Sequence, residues 1–341
     1  MITPTMASLR SPVRRGSRVR GIWAWARLAG GVAILAVLVW RLGTGPFVDG
    51  LQTINAWSLL AATSITLLTT VVSAWRWTIV ARGLGVGIPL PTAIAAYYRS
   101  QFLNTALPGG VLGDVHRGVR HGQDVGDVGR GLRAVAWERT AGQAVQAALT
   151  VCVLLAMPSP VHSVMPTVLM VAVPIALGLI VITRALPRNG LSRTARILRA
   201  AEADIHEGLL PSQAWPGIAV ASALALAGHT TIFLVAARTA GTTSSTLTLV
   251  PLAMLSLLAS AVPTNIGGWG PREGVAAWLF AAAGLGADQG VATATVFGVM
   301  GLVASLPGAV VLLVAWWRRR ARATKPTLDV PAPPLEAALH G

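Results

Sequence analysis

Long apolar runs alternate along this chain with short clusters of arginine, glycine and proline. A helix needs about 20 apolar residues to cross a bilayer. Segments 22–40, 57–80, 132–157, 164–183, 215–237 and 291–317 meet that need or nearly so, and shorter apolar stretches occupy 91–108, 247–262 and 274–284. The pattern predicts an all-α, polytopic membrane bundle of about seven to eight spans. Between its halves, Leu191, Ala195, Leu198, Ala201, Ile205 and Leu209 recur at three- and four-residue spacing, which gives one apolar face of an amphipathic interfacial helix. The expected organisation is a basic arm at 1–21, one transmembrane domain at 22–317 and a short tail at 318–341. The transmembrane domain divides into a first half (22–183), an amphipathic linker (184–213) and a second half (214–317).

Two breaks in the apolar pattern look like copies of one another: QFLNTALPGGVLGDVHR at 101–117 and SAVPTNIGGWGPREG at 260–274. Each reaches a proline (Pro108, Pro263) and carries asparagine and glycines, Asn104 with Gly109, Gly110 and Gly113, and Asn265 with Gly267, Gly268 and Gly270. Each then ends in opposite charges, Asp114 with Arg117 and Arg272 with Glu273. Irregular backbone is tolerated at membrane depth only where protein or a wet cavity satisfies it. Ordinary Gly- and Pro-rich turns are the alternative.

Arginine decides the orientation. Arg10, Arg14, Arg15, Arg18 and Arg20, then Arg76 and Arg82, the stretch 114–133, the linker and Arg318–Arg320 read as cytoplasmic, so both termini are expected inside the plasma membrane. Loops 41–56, 158–163 and 239–246 then face outside. With Arg82 and Asp114 on one side, 91–113 is not a simple crossing and reads as a re-entrant hairpin from the inside. The second broken segment becomes its inverted counterpart from the outside, an arrangement of secondary transporters.

Composition fits this class: 54% hydrophobic and 11% charged residues, against about 25% charged in ordinary soluble domains. The net charge of +15 is therefore read as the positive-inside pattern with attraction to anionic lipid, not as nucleic-acid binding. Cys152, in the run VCVLLAM, reads as a buried small hydrophobe. The first apolar run lacks a small-residue cleavage site and reads as a retained span.

The strongest chemical signal is Glu138-Arg139, a few residues inside an apolar run, because ionisable residues in a span are paired and functional by default. As helical neighbours they point apart. Arg117 or Arg272 is the expected partner of Glu138, and Asp114 or Glu273 that of Arg139. Arg117 and Arg272 suit a bidentate phosphate clamp, helped by helix N-termini beside the breaks. Asn104 and Asn265 can line a polar path or cap a helix. His229 reads as a core histidine bonded to a neighbouring carbonyl. Asp124 and Asp127 in HGQDVGDVG read as solvating a flexible loop, not as metal ligands. No Walker-type loop occurs, and no catalytic residue, metal or cofactor is expected.

The order WRW, FLNTALPGGVLGDVHR, WERTAG, VPTNIGGWGPREG, over roughly residues 23–317, resembles the lysylphosphatidylglycerol synthase transmembrane region family of flippase-like membrane proteins. Its members resemble the membrane half of the multiple peptide resistance factor, which moves aminoacylated phosphatidylglycerol between leaflets. Related sequences occur beside glycosyltransferases that use polyprenyl-phosphate carriers. The resemblance implies that Asn104, Pro108, Gly109, Gly110, Gly113, Asp114 and Arg117 form one functional motif and Glu138 and Arg139 another. Pro263, Gly267, Gly268, Gly270, Arg272 and Glu273 form the third. With no soluble aminoacyl-transferase domain, synthesis of lysyl-lipid is not expected. The function expected is non-enzymatic translocation of an anionic phospholipid or a polyprenyl-phosphate-linked lipid. The alternatives are an accessory or enzyme of glycolipid or polyprenyl-phosphate sugar synthesis, and a non-transporting assembly partner. Expected partners are anionic or phosphate-bearing membrane lipids and no nucleic acid, with a second copy or a lipid-synthesising protein as candidate protein partners.

Overall fold

The computed structural model describes residues 29, 32–107, 110–157, 193–209, 211, 213–261 and 269–323. Every regular element among them is helical: α1 (Val32–Leu42), α2 (Gly45–Gln52), α3 (Ala56–Gly83), α4 (Leu90–Ala106), α5 (Leu112–Asp124) and α6 (Val128–Ala156). The second half holds α7 (Arg193–Asp204) with a π-helical turn at Ile205–Leu209, α8 (Trp215–Thr239), α9 (Thr246–Ala259), α10 (Pro271–Ala282) and α11 (Ala287–Ala323). Polar residues start the long helices. Asn55 and Ser58 cap α3 reciprocally, the Asn55 Oδ1 accepting from Ser58 N at 3.0 Å. Asp127 accepts from Arg130 N at 2.8 Å to open α6, and Ser245 from Thr248 N at 3.2 Å to open α9.

Four helices are long and apolar enough to cross a membrane: α3, α6, α8 and the Ala287–Arg318 part of α11. A fifth span results if α1 and α2, bent by 93°, are taken together. The predicted span at 164–183 lies outside the described residues. The stretches at 247–262 and 274–284 form α9, of 14 residues, and α10, of 12. At 1.5 Å per residue these are about 21 and 18 Å long, short of the ~30 Å hydrocarbon layer.

The polar stretch after Gly113, expected as a cytoplasmic loop, is instead the helix α5, with Asp114, Arg117 and His121 buried. It folds back on α4: Gly113 N donates to Asn104 Oδ1 at 2.8 Å near the tip, and His121 Nε2 lies 2.8 Å from Val86 O at the base. So α4 leaves the C-terminal end of α3 and α5 returns to it. The second broken segment repeats this at the other end. Helix α8 runs antiparallel to α3, with Ile79 against Gly217, Arg76 bonded to Ser222 and Thr69 against Gly228. Its C-terminus therefore lies at the α3 N-terminus, where Gln289 Nε2 donates to Ala240 O at 2.6 Å and to Thr242 Oγ1 at 2.8 Å. Helix α9 departs from that end and α10 returns to it. Two helical hairpins thus have their bases at opposite ends of the bundle.

Both hairpins rest on α11 through glycines. A Cβ on Gly308 would come within 2.1 Å of Tyr98 O, and one on Gly290 within 2.4 Å of Ala276 O. Gly298 faces Trp269 and Arg272. At the tips, Gly110 (φ 60°) and Gly270 (φ 124°) take left-handed backbone that a side chain would strain. The amphipathic segment packs on the protein: Ala195 is buried, Gly208 sits against Gly83 and Leu84, and Asp204 accepts from Arg133 Nε at 2.7 Å. Cys152, expected buried, is exposed on α6 among the apolar side chains a bilayer would cover.

Candidate functional site

Five charged residues from three elements form one knot. Glu138, fully buried on α6, accepts from Arg76 of α3 through Oε1 and from Arg117 of α5 through Oε2, the latter at 2.9 Å. Tyr97 of α4 donates its hydroxyl to the same Oε1 at 3.0 Å. Asp114 accepts from Ser100 at 2.9 Å, Asn104 at 3.0 Å, Arg117 at 3.1 Å and Arg139 at 2.7 Å. The Arg117 guanidinium lies between the faces of Trp77 (4.5 Å) and Tyr97 (4.1 Å), a desolvated cation–π stack. Arg76 also donates to Ser222 at 3.0 Å, and Gly142 makes room for its guanidinium.

The two expected neighbours part as a helix requires. Glu138 takes Arg117 and Arg139 takes Asp114, the first of the two partners predicted for each. Their exposures separate them: the Glu138 side chain is 0% accessible, whereas 41% of the Arg139 side chain is open. Arg139 lies near the middle of α6, about 16 Å from its start at 1.5 Å per residue. An open arginine at that depth must face water, a polar cavity or an anionic headgroup.

Several expectations need correction. Arg117, expected as a phosphate clamp, is buried inside the knot between Glu138 and Asp114. Helix N-termini were expected to offer free N–H groups, yet Asn104 occupies Gly113 N and Glu273 Oε2 occupies Gly270 N at 2.6 Å. Arg272 and Glu273 pair with each other, both buried, with Arg272 also 4.9 Å from the Phe297 ring centroid. Asn104 acts on both the backbone and the carboxylate of the first hairpin. Gly110 and Gly270 are turn residues at the tips. Pro108, Gly109, Pro263, Asn265, Gly267 and Gly268 lie outside the described residues. His229 Nδ1 lies 2.7 Å from Ala225 O, the core-histidine arrangement expected for it.

Sequence reasoning missed Arg76, which was read as marking the membrane edge. Its signal was available: it stands seven residues inside the end of α3, in an apolar run, between two tryptophans. Tyr97 and Ser100 were missed as well, because a tyrosine and a serine in a helix carry no pattern of their own.

The buried ion knot, the helical hairpins and four to five apolar spans define a polytopic helical membrane protein with an internal charged site. The family model described as "Lysylphosphatidylglycerol synthase TM region" matches residues 25–308, and the chain belongs to that family. Compared with curated proteins, the chain has no match.

Proposed function

We propose that this protein is a non-enzymatic lipid flippase that carries an anionic, phosphate-bearing lipid across the plasma membrane, and that both hairpins are re-entrant. The observation that supports this reading is the charge balance of the knot. Among the described residues of the knot, three arginines, Arg76, Arg117 and Arg139, meet two carboxylates, Asp114 and Glu138, and the accessible arginine, Arg139, shares Asp114 with Arg117. The site keeps one positive charge beyond its two carboxylates, and Arg139, which bonds Asp114 through Nη2, has the rest of its guanidinium to offer a phosphate. The cost of bringing a headgroup to that depth falls because its charge meets a preset counter-charge, and the acyl chains stay in lipid.

Arg139 is the residue to test, since Asp114 keeps Ser100, Asn104 and Arg117 when it is removed. In proteoliposomes, Arg139→Gln is expected to slow movement of acyl-labelled phosphatidylglycerol about tenfold or more, the value of one lost charge-assisted bond. Its level in the membrane and its melting temperature are expected to match the unsubstituted protein. Undiminished movement would refute the role of the site. Unchanged transport with loss of a co-purifying protein would favour an assembly role.

The orientation has its own check. Gln52 and Ser244 lie at the same end of the bundle, close to the α2–α11 contact and the second hairpin's base. Both termini are proposed to be cytoplasmic, so Gln52→Cys and Ser244→Cys are expected to react with an impermeant maleimide from outside in intact cells. Reaction only after permeabilisation would reverse the orientation.

A further inference from the structure

Among the described residues, the long apolar helices carry one histidine, His229, near the middle of α8. Its Nδ1 lies 2.7 Å from Ala225 O. A carbonyl only accepts, so Nδ1 carries the hydrogen, and in the neutral ring Nε2 keeps its lone pair. Nε2 has no hydrogen-bond partner among the described residues, and the ring is half-buried. Helix geometry decides where that opening faces. Ala225, Leu226, Ile232 and Phe233, three or four residues away on the same face, are all buried. The exposed stripe of α8, Val220, Leu224, Ala227 and Thr231, runs along the opposite side, since Ala227 and Thr231 each stand about 200° around the helix from His229. The free nitrogen therefore opens into the bundle and not toward lipid. Ser222, two turns earlier on the same face, accepts from Arg76 of the knot.

Four helices pack on α8. Helix α3 brings Arg76, and Arg82 at its far end. Helix α6 brings Glu138 and Arg139, with Arg130 and Arg133 in its first turns and the outward Cys152. Helix α9 carries no titratable residue, and α11 carries Asp288 in its first turn and arginines only from Arg318 on. On α8 itself Arg238 stands in the last turn. Of all these, Arg76 and Arg139 act on the ring electrostatically. Arg139 is the accessible cation of the knot. A half-open base and an open guanidinium are thus within reach of each other's charge inside the bundle.

We infer that His229 is a proton-binding site that couples lipid movement to proton movement. With a proton on Nε2 the imidazolium is a second cation near Arg139, and an anionic headgroup facing two cations is held more tightly than one facing a single cation. Binding linkage is reciprocal, so the headgroup strengthens the hold of the ring on its proton by the same factor. One proton and one singly charged lipid then load together and leave together. The proton passes from water on one side to Nε2, and from Nε2 to water on the other. That load is neutral, so the membrane potential does not oppose it. This inference rests on the flippase reading above and adds a driving force to it.

The test uses phosphatidylcholine proteoliposomes with acyl-labelled phosphatidylglycerol in the outer leaflet and a pH-sensitive dye in the lumen, with rates corrected for protein-free vesicles. Coupling between two bound ligands is commonly about five- to 150-fold, so an outside about 2 pH units more acidic than the lumen is expected to speed inward movement of the label about fivefold or more. The dye is expected to report lumen acidification that requires phosphatidylglycerol. His229→Asn keeps an N–H in place of Nδ1 and has no base in place of Nε2. It and His229→Gln are expected to move the label at one rate with or without the gradient, and to acidify the lumen no faster than protein-free vesicles do. An unsubstituted protein that moves the label without responding to the gradient would overturn proton coupling and leave the flippase reading standing. Variants that keep the full response, or that both fail to insert, would overturn the role of the imidazole. Movement of no label by the unsubstituted protein, with or without the gradient, would overturn both readings.

Discussion

Glu138→Gln is expected to remove most of the folded protein from the membrane, in contrast to its neighbour Arg139→Gln. Glu138 is fully buried and receives Arg76, Arg117 and Tyr97. Neutralising it leaves one uncharged amide oxygen where two carboxylate oxygens served Arg76, Arg117 and Tyr97, and sets the new NH2 group against a guanidinium. Breaking a buried ion pair by removing one partner costs about 3–5 kcal/mol, because the remaining charge is stranded in low dielectric. Thermal melting of the detergent-purified protein and the yield of monodisperse material both measure this. A Glu138→Gln protein that melts with the unsubstituted one would mean that water hydrates Arg76 and Arg117 freely, and that the knot is wetter than its burial indicates.

Gly113→Val is expected to separate the two arms of the first hairpin. A Cβ at Gly113 would stand 2.0 Å from Ser100 O and 2.8 Å from Asn104 Oδ1, and the first of these is backbone that cannot rotate away. Relief requires α5 to shift from α4. That shift breaks the Gly113–Asn104 bond and the bonds from Ser100 and Asn104 to Asp114. Overpacking alone costs about 1–3 kcal/mol, and the lost bonds to a charged carboxylate add about 1.5–3 kcal/mol each. Gly301→Ala is the control, since nothing lies within 4 Å of its added methyl. It is expected to leave stability unchanged or raise it by up to about 1 kcal/mol, as alanine favours a helix over glycine. Equal effects of the two substitutions would show that the α4–α5 contact is loose.

The helical class and the long apolar helices were legible because they follow from hydropathy runs, which are local signals, whereas the expected seven to eight spans exceed the four to five found among the described residues. The partners of Glu138 and Arg139 were legible as short lists because helical neighbours must diverge and buried charges must pair. Choosing within each list needed the fold: Arg117 reaches Glu138 only because α5 folds back along α4, and the sequence 114–133 looks polar enough to be a loop. Arg76 escaped because arginine near a span's end has two meanings, an interfacial anchor or a buried cation, and only the position of Glu138 across the helix contact separates them.

One helix carries both hairpins. Along α11 the second hairpin presses at Gly298 and the first at Gly308, about 15 Å apart at 1.5 Å per residue. Pro307 stands just before the later contact and cannot supply the amide bond that the helix would make there. The backbone of α11 is therefore most compliant at the point where the first hairpin bears on it. Each hairpin's root is fastened by its own side chain, His121 at one end and Gln289 at the other. Mechanically, α11 is a beam clamped to two opposed levers with its soft point under one of them. A bend there changes the angle between the two hairpins while His121 and Gln289 keep both roots in place.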